Sequence, residues 1–159
     1  MQKLNQSYIK SVVKKALDED LKPRGDITTN LIKFKNKKAK AQIIAKQDGI
    51  IAGLDFCKAA FKLVGKETIF TSKVKDGSKI KKNKVIAEIK AKTKTILIAE
   101  RTALNFLNHT SGIATLTNQF KQKVNKKTKI CCTRKTTPNL RQLEKYAVKK
   151  VAVTTIDTI

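Results

Sequence analysis

The apolar residues change their spacing twice between residues 54 and 126, and that change fixes the fold class. Leu54, Cys57, Phe61 and Val64 recur at the i, i+3, i+7 interval of a helix that buries one stripe. From residue 69 to 98 the pattern becomes β-branched runs split by Asp76-Gly77 and Lys82-Asn83. Such pairs are turn chemistry between short strands. Residues 97–126 return to helical spacing, with Ala103, Leu104, Leu107, Leu116 and Phe120 apolar. Helices and strands that follow each other in blocks pack as layers, so the predicted class is α+β.

The flanks extend this reading. Residues 5–21 form a helix with Ile9, Val12, Val13, Ala16 and Leu17 on one face. Pro23, Gly25 and Asp26 mark a connecting loop, in which Asp26 caps a turn or binds a metal. Residues 39–47 read as a strand. In the helix over 54–64, Asp55 complements the first turn and Gly65 is the stop. Ser111-Gly112 is expected to break or kink the helix over 97–126, because glycine costs about 1 kcal/mol inside a helix. Residues 129–133 are predicted as a buried strand. Thr137 as N-cap and Pro138 at the first helical position then open a helix over 138–150. No internal repeat is present. At 159 residues the chain fits one domain of ordinary size, or about one and a half small ones. A complete (β/α)8 barrel needs roughly 250 residues.

Composition narrows the function classes. The chain carries 36 Lys and Arg against 12 Asp and Glu, a net charge of +24. Only Arg24, Arg101, Arg134 and Arg141 are arginines; the lysines are scattered, tryptophan is absent and aromatics are 5%. A nucleic-acid binder favours clustered arginine and stacking rings, so this composition speaks against one. The field still attracts anionic substrates. Cys57, Cys131 and Cys132 are odd in number, form no C-x-x-C and accompany a single histidine, His109. Neither a disulfide framework nor a zinc site is supplied, and the cysteines read as buried small hydrophobes. A Ser-His or Cys-His nucleophile would have only His109 as its base. No apolar run reaches the roughly 20 residues of a membrane span, and the amphipathic N-terminus lacks a signal-peptide core. The reading is therefore a soluble, cytoplasmic protein without membrane contact.

The segment TRKTTP, residues 133–138, carries the best site chemistry. A strand delivers Arg134 and Lys135 at its C-terminal end, beside a helix start, where α/β folds bind ligands and helix amides favour anions. Arginine grips a carboxylate or phosphate bidentately, and lysine adds a point charge. Left to themselves, the two could equally be a solvated basic pair. Arg101, beside Glu100 on an otherwise apolar helix, is the second candidate, with an ordinary surface residue as its alternative. No G-x-G-x-x-G or Walker-type loop is present.

Five blocks resemble one family. They are ALDEDLKPRGDITTNLI, IIAKQDGIIAGLDFCKAAF, VKDGSKIKKNKVIAEI, ILIAERTALNFLNHTSGIATLT and CCTRKTTPNLRQLEKYAVKK, which in order cover nearly all of residues 16–150. They resemble the quinolinate phosphoribosyltransferases, also called carboxylating nicotinate-nucleotide pyrophosphorylases. Asn139 stands where that family usually has glycine. The third block is also similar to the strand-turn-strand of biotinyl and lipoyl carriers, although Lys92 and Lys94 lack the carrier lysine's hairpin setting. The family resemblance implies an N-terminal α/β sandwich domain over residues 1–112, with a barrel-sandwich-like sheet. The first strand-helix unit of an α/β barrel follows over 113–150. It implies a pentosyltransferase of NAD biosynthesis that turns quinolinate and phosphoribosyl pyrophosphate into nicotinate mononucleotide, pyrophosphate and CO2, with Mg2+. By the same resemblance Thr133, Arg134 and Lys135 line the substrate site. Arg101 of ERTALN matches the arginine that one subunit of the homodimer lends to its partner.

Beyond YAVKK the family reads Gly-Gly-Gly and then His-Arg, whereas residues 151–159 read VAVTTIDTI. Shifting the reading frame by one base from the last base of codon 150 restores a glycine run and a His-Arg pair. Residues 151–159 are thus expected to be a frameshifted tail on an inactive remnant. Such a remnant would carry one barrel strand with an unpaired edge.

Overall fold

In a computed structural model the structure describes residues 4–33, 35–125, 127–151 and the backbone of 154–155. The expected tail over 151–159 therefore lies largely outside the described residues.

Helix α1 (Gln6–Leu21) starts at Asn5, whose side chain accepts the Ser7 N–H at 2.9 Å, and it buries Ile9, Val13 and Leu17. Helix α2 (Ile27–Leu31) is a single short turn inside the segment expected as loop. Asp26 caps it by accepting the Thr29 amide at 2.9 Å and the Thr29 hydroxyl at 2.6 Å. Asp26 thus acts as the cap of a turn, one of its two expected roles. Strands β1 (Lys38–Ile44) and β2 (Gly49–Ile50) precede α3 (Leu54–Val64), which has the predicted bounds. Strands β3 (Ile69–Ser72), β4 (Lys79–Ile80) and β5 (Val85–Lys92) follow. The antiparallel sheet β1-β5-β3 and the two-stranded ribbon β2-β4 lie beside the helices.

Helix α4 (Thr93–Lys123) is the spine, packing on α3, α1 and α5 (Arg141–Lys149). It begins four residues earlier than predicted. The Thr93 N–H and hydroxyl bond the Lys37 carbonyl at 2.9 and 3.0 Å, and the Asn36 side chain accepts the Lys94 amide at 3.2 Å. Those partners come from the residues that lead into β1, the strand paired with β5, and they override the β-branched propensity of the segment. They also place Lys92 and Lys94 at a helix start, not on a carrier hairpin. The expected break at Gly112 does not occur, and α4 is continuous. Ser111 and Thr115 accept the Ala52 and Ile50 amides at 3.1 and 2.9 Å, and the Thr110 hydroxyl bonds the Ala52 carbonyl. These bonds tie the stretch of α4 around its glycine to Ile50 and Ala52, and the helix runs on through it.

The core joins Ile9, Val13, Phe56, Phe61, Ile89 and Leu107, among others, with Phe56 stacked on Phe106 at 5.4 Å. A smaller cluster unites Ile50, Ala114, Ala147 and Val148. The strand expected over 129–133 shrinks to β6 (Cys131–Cys132), and it is not buried: Cys131 is exposed and Cys132 half-buried. One of its edges is covered by β7 (Thr154–Thr155), which lies parallel to it with Cys131 opposite Thr154; among the described residues the other edge has no strand partner. The sheets are open, and no closed barrel forms among the described residues. The architecture is α+β, ending in the strand-helix unit β6-α5. No helix among the described residues is long and apolar enough to cross a membrane.

Candidate functional site

The loop from Thr133 to Leu140 is fixed largely by its own polar groups. The Thr133 hydroxyl accepts the Lys135 amide at 3.1 Å, and the Thr136 amide donates to the Arg134 carbonyl at 3.0 Å. Asn139 takes a left-handed φ of 66°. Asparagine and glycine tolerate that region best, which accounts for asparagine at this position. The helix start expected at Thr137 and Pro138 is displaced: those residues form the turn, and α5 begins at Arg141. Glu144, in the first turn of α5, reaches back and accepts the Thr137 amide at 3.3 Å. Its other oxygen lies 3.3 Å from His109 Nε2 on α4. Glu144 thereby ties the loop to the spine. Arg134 and Lys135 project from it exposed, and neither is ion-paired among the described residues.

Arg101 stands on α4 with its side chain 72% exposed, and its guanidinium meets Asp20 of α1 at 3.0 Å. The Asp26 carboxyl sits below its usual range, through the Thr29 hydroxyl and amide first and Arg101 more weakly. No hydrogen bond or ion pair joins Arg101 to the loop over 133–137 among the described residues. A cleft of about 440 Å3 lies between the two anchors, lined by Asp20, Thr102, Asn105, His109, Leu140 and Leu143. Thus the partner of Arg101 and the partner of Glu144 both face one cleft, while Arg101, Thr133, Arg134 and Lys135 stand outside its lining. Glu100 lines a separate, larger cleft of about 900 Å3 between the β1-β2 segment and α4.

The remaining candidates are settled by burial. Cys57 is fully buried; burial first, and the Asp76 carboxylate second, push its thiol up to about 12, so it stays protonated and is no nucleophile. His109 bonds Glu144, not a serine or cysteine. No group of three metal-ligating side chains exists among the described residues. Mg2+ prefers several oxygen ligands and commonly binds through substrate phosphates, so these side chains alone do not fit it as a cage.

Sequence reading missed Asp20, Glu144 and Asp76. Glu144 carried a usable signal, an acid in the first turn of a helix. Asp76 was read only as a turn residue, yet its carboxylate accepts the Gly53 and Leu54 amides at 3.0 and 3.1 Å and bonds the Tyr146 hydroxyl. It caps α3 and holds α5 at once.

Two family profiles match the chain in succession. The N-terminal domain of quinolinate phosphoribosyl transferase matches residues 26–111, and the C-terminal domain of the same enzyme matches residues 113–154. The chain belongs to the quinolinate phosphoribosyltransferase family. A Methanocaldococcus jannaschii protein named probable nicotinate-nucleotide pyrophosphorylase (carboxylating) is 46% identical over 145 residues, 89% of this chain and 49% of its own length. The Bacillus subtilis protein of the same name is 38% identical over 92% of this chain and 50% of its own length. The chain thus spans about half the length of the curated relatives it matches. Among solved structures, the nicotinate-nucleotide pyrophosphorylase of Francisella tularensis superposes with a TM-score of 0.90 at 34% identity, over 96% of this chain and 55% of that one. NadC of Streptococcus pyogenes gives 0.91 at 36% identity, over 98% and 55%.

Proposed function

We propose that this chain serves the transfer of a phosphoribosyl group from phosphoribosyl pyrophosphate to quinolinate, with release of pyrophosphate and CO2. The observation that carries the reading is the pair Arg134 and Lys135, two exposed cations without an ion-pair partner among the described residues, on a loop pinned by Glu144. Both substrates are polyanions, so fixed cations position them and neutralise charge developing on the leaving pyrophosphate. Arg134 suits a bidentate grip on a carboxylate, and Lys135 a phosphate oxygen. Thr133 acts through Lys135, whose amide it holds. Mg2+ would enter on the diphosphate of the substrate and supply charge neutralisation there. Arg101 would complete the site of a second copy in a homodimer; its exposure and the open cleft beside it support that role.

A second reading is favoured by the openness of the same loop. Arg134 and Lys135 lie in water, and none of the three clefts described here and below encloses them. On this reading the 159 residues bind the anions without turning them over. Calorimetry with quinolinate, and chromatography of a mixture with both substrates and Mg2+, test both readings. Loss of quinolinate affinity by about tenfold in Arg134→Ala, with circular dichroism unchanged, is expected. Undiminished affinity in that variant refutes the site. Catalytic formation of nicotinate mononucleotide by the 159-residue chain refutes the second reading.

A further inference from the structure

We propose that the outward face of β1 and β5, with the cleft beside it, binds a compact inorganic polyphosphate. The register sets Lys38 opposite Lys92 and Lys40 opposite Lys90, and all four side chains are exposed. Like charges directly opposite one another destabilise a strand pair. One rung farther along, the same face shows the ordinary solution: Gln42 lies opposite Glu88, and Lys73 meets Glu88 at 2.9 Å. Neither lysine rung contains a carboxylate; Lys90 acts only through space on Glu88 of the neighbouring rung, which is already ion-paired with Lys73. None of Lys38, Lys40, Lys66, Lys90 and Lys92 is ion-paired among the described residues.

These five lysines line one cleft of about 730 Å3, in which Glu67 is the single carboxylate. The volume suits a small molecule, for which pockets run from about 300 to 1,000 Å3. Successive rungs on one face are about 7 Å apart along the strand, and opposed residues about 5 Å apart across it. Four ammonium groups rooted at the corners of such a rectangle, on flexible stems, match a short chain of linked phosphates better than one isolated anion. No aromatic residue lines the cleft, so nothing there would stack a base. Arg134 and Lys135 do not line it, and this site is independent of the transferase reading.

Inorganic tripolyphosphate is the probe, tested by calorimetry and thermal unfolding of the 159-residue chain at moderate salt. Lys90→Glu sets a carboxylate opposite Lys40. It should raise the melting temperature of the free protein and weaken tripolyphosphate by about tenfold or more. Lys40→Gln should weaken it in the same direction. Lys14→Glu, an equal charge change on the exposed side of α1, should leave the affinity within about twofold. Equal losses in Lys90→Glu and Lys14→Glu would mean attraction by net charge alone and overturn the site. Absence of tripolyphosphate binding overturns it too, as does tighter binding of a mixed-sequence DNA strand at equal phosphate concentration.

Discussion

Removing the Asp76 carboxylate tests whether one side chain joins the two ends of this fold. Asp76 accepts two amides at the start of α3, from Gly53 and Leu54, and the hydroxyl of Tyr146 on α5. Asp76→Ala removes an N-terminal cap, worth about 1–2 kcal/mol. It also leaves the Tyr146 hydroxyl, in a buried residue, without its acceptor, at about 1–3 kcal/mol. The expected loss is about 3–4 kcal/mol. At about 2–4 °C per kcal/mol for a chain of this size, the melting temperature falls by roughly 10 °C. Tyr146→Phe leaves both amide bonds in place and should cost about 1–2 kcal/mol. The double variant should then lose less than the sum of the singles, by about 1–2 kcal/mol. Urea unfolding followed by circular dichroism measures all three. A loss below about 1 kcal/mol in Asp76→Ala, or additivity within about 0.5 kcal/mol, would refute the shared anchor.

Two glycines should respond in opposite senses to alanine. A Cβ on Gly53 would sit 2.2 Å from Thr110 Oγ1 at a φ of 95°, so Gly53→Ala should cost more than about 2 kcal/mol in urea unfolding. A Cβ on Gly112 meets nothing within 4 Å, so Gly112→Ala should gain about 0.5–1 kcal/mol. The cysteines should separate by reactivity: a thiol reagent modifies exposed Cys131 in the native protein and reaches Cys57 only after unfolding. Because the folded Cys57 thiol lies near 12 against an ordinary 9.0, its contribution to stability is complete below pH 9 and is lost as pH rises toward 12. Cys57→Ala should flatten that alkaline decline in unfolding measured across pH; an unchanged slope would refute the assignment.

Much of the fold was legible because it is written in local spacing. The stripe Leu54, Cys57, Phe61 and Val64 fixed α3 to the residue, and the order of the five blocks alone pointed to the family. The misreadings share one cause. Thr93–Ile96 looked like strand and Gly112 like a break because the partners that decide them, Asn36, Lys37, Ile50 and Ala52, lie tens of residues away in sequence. Cys131 looked buried because its apolar neighbours carry no information on which layer covers them.

The site divides in the same way. The residue types at 133–135 and at 101 were enough to name cations suited to polyanions, since charge and donor geometry belong to the side chain itself. That Arg101 rests on Asp20, that Glu144 ties the loop to His109, and that four lysines face each other in pairs were decided only by packing and strand register. A one-residue slip of β1 against β5 would dissolve the lysine ladder without changing a letter of the sequence.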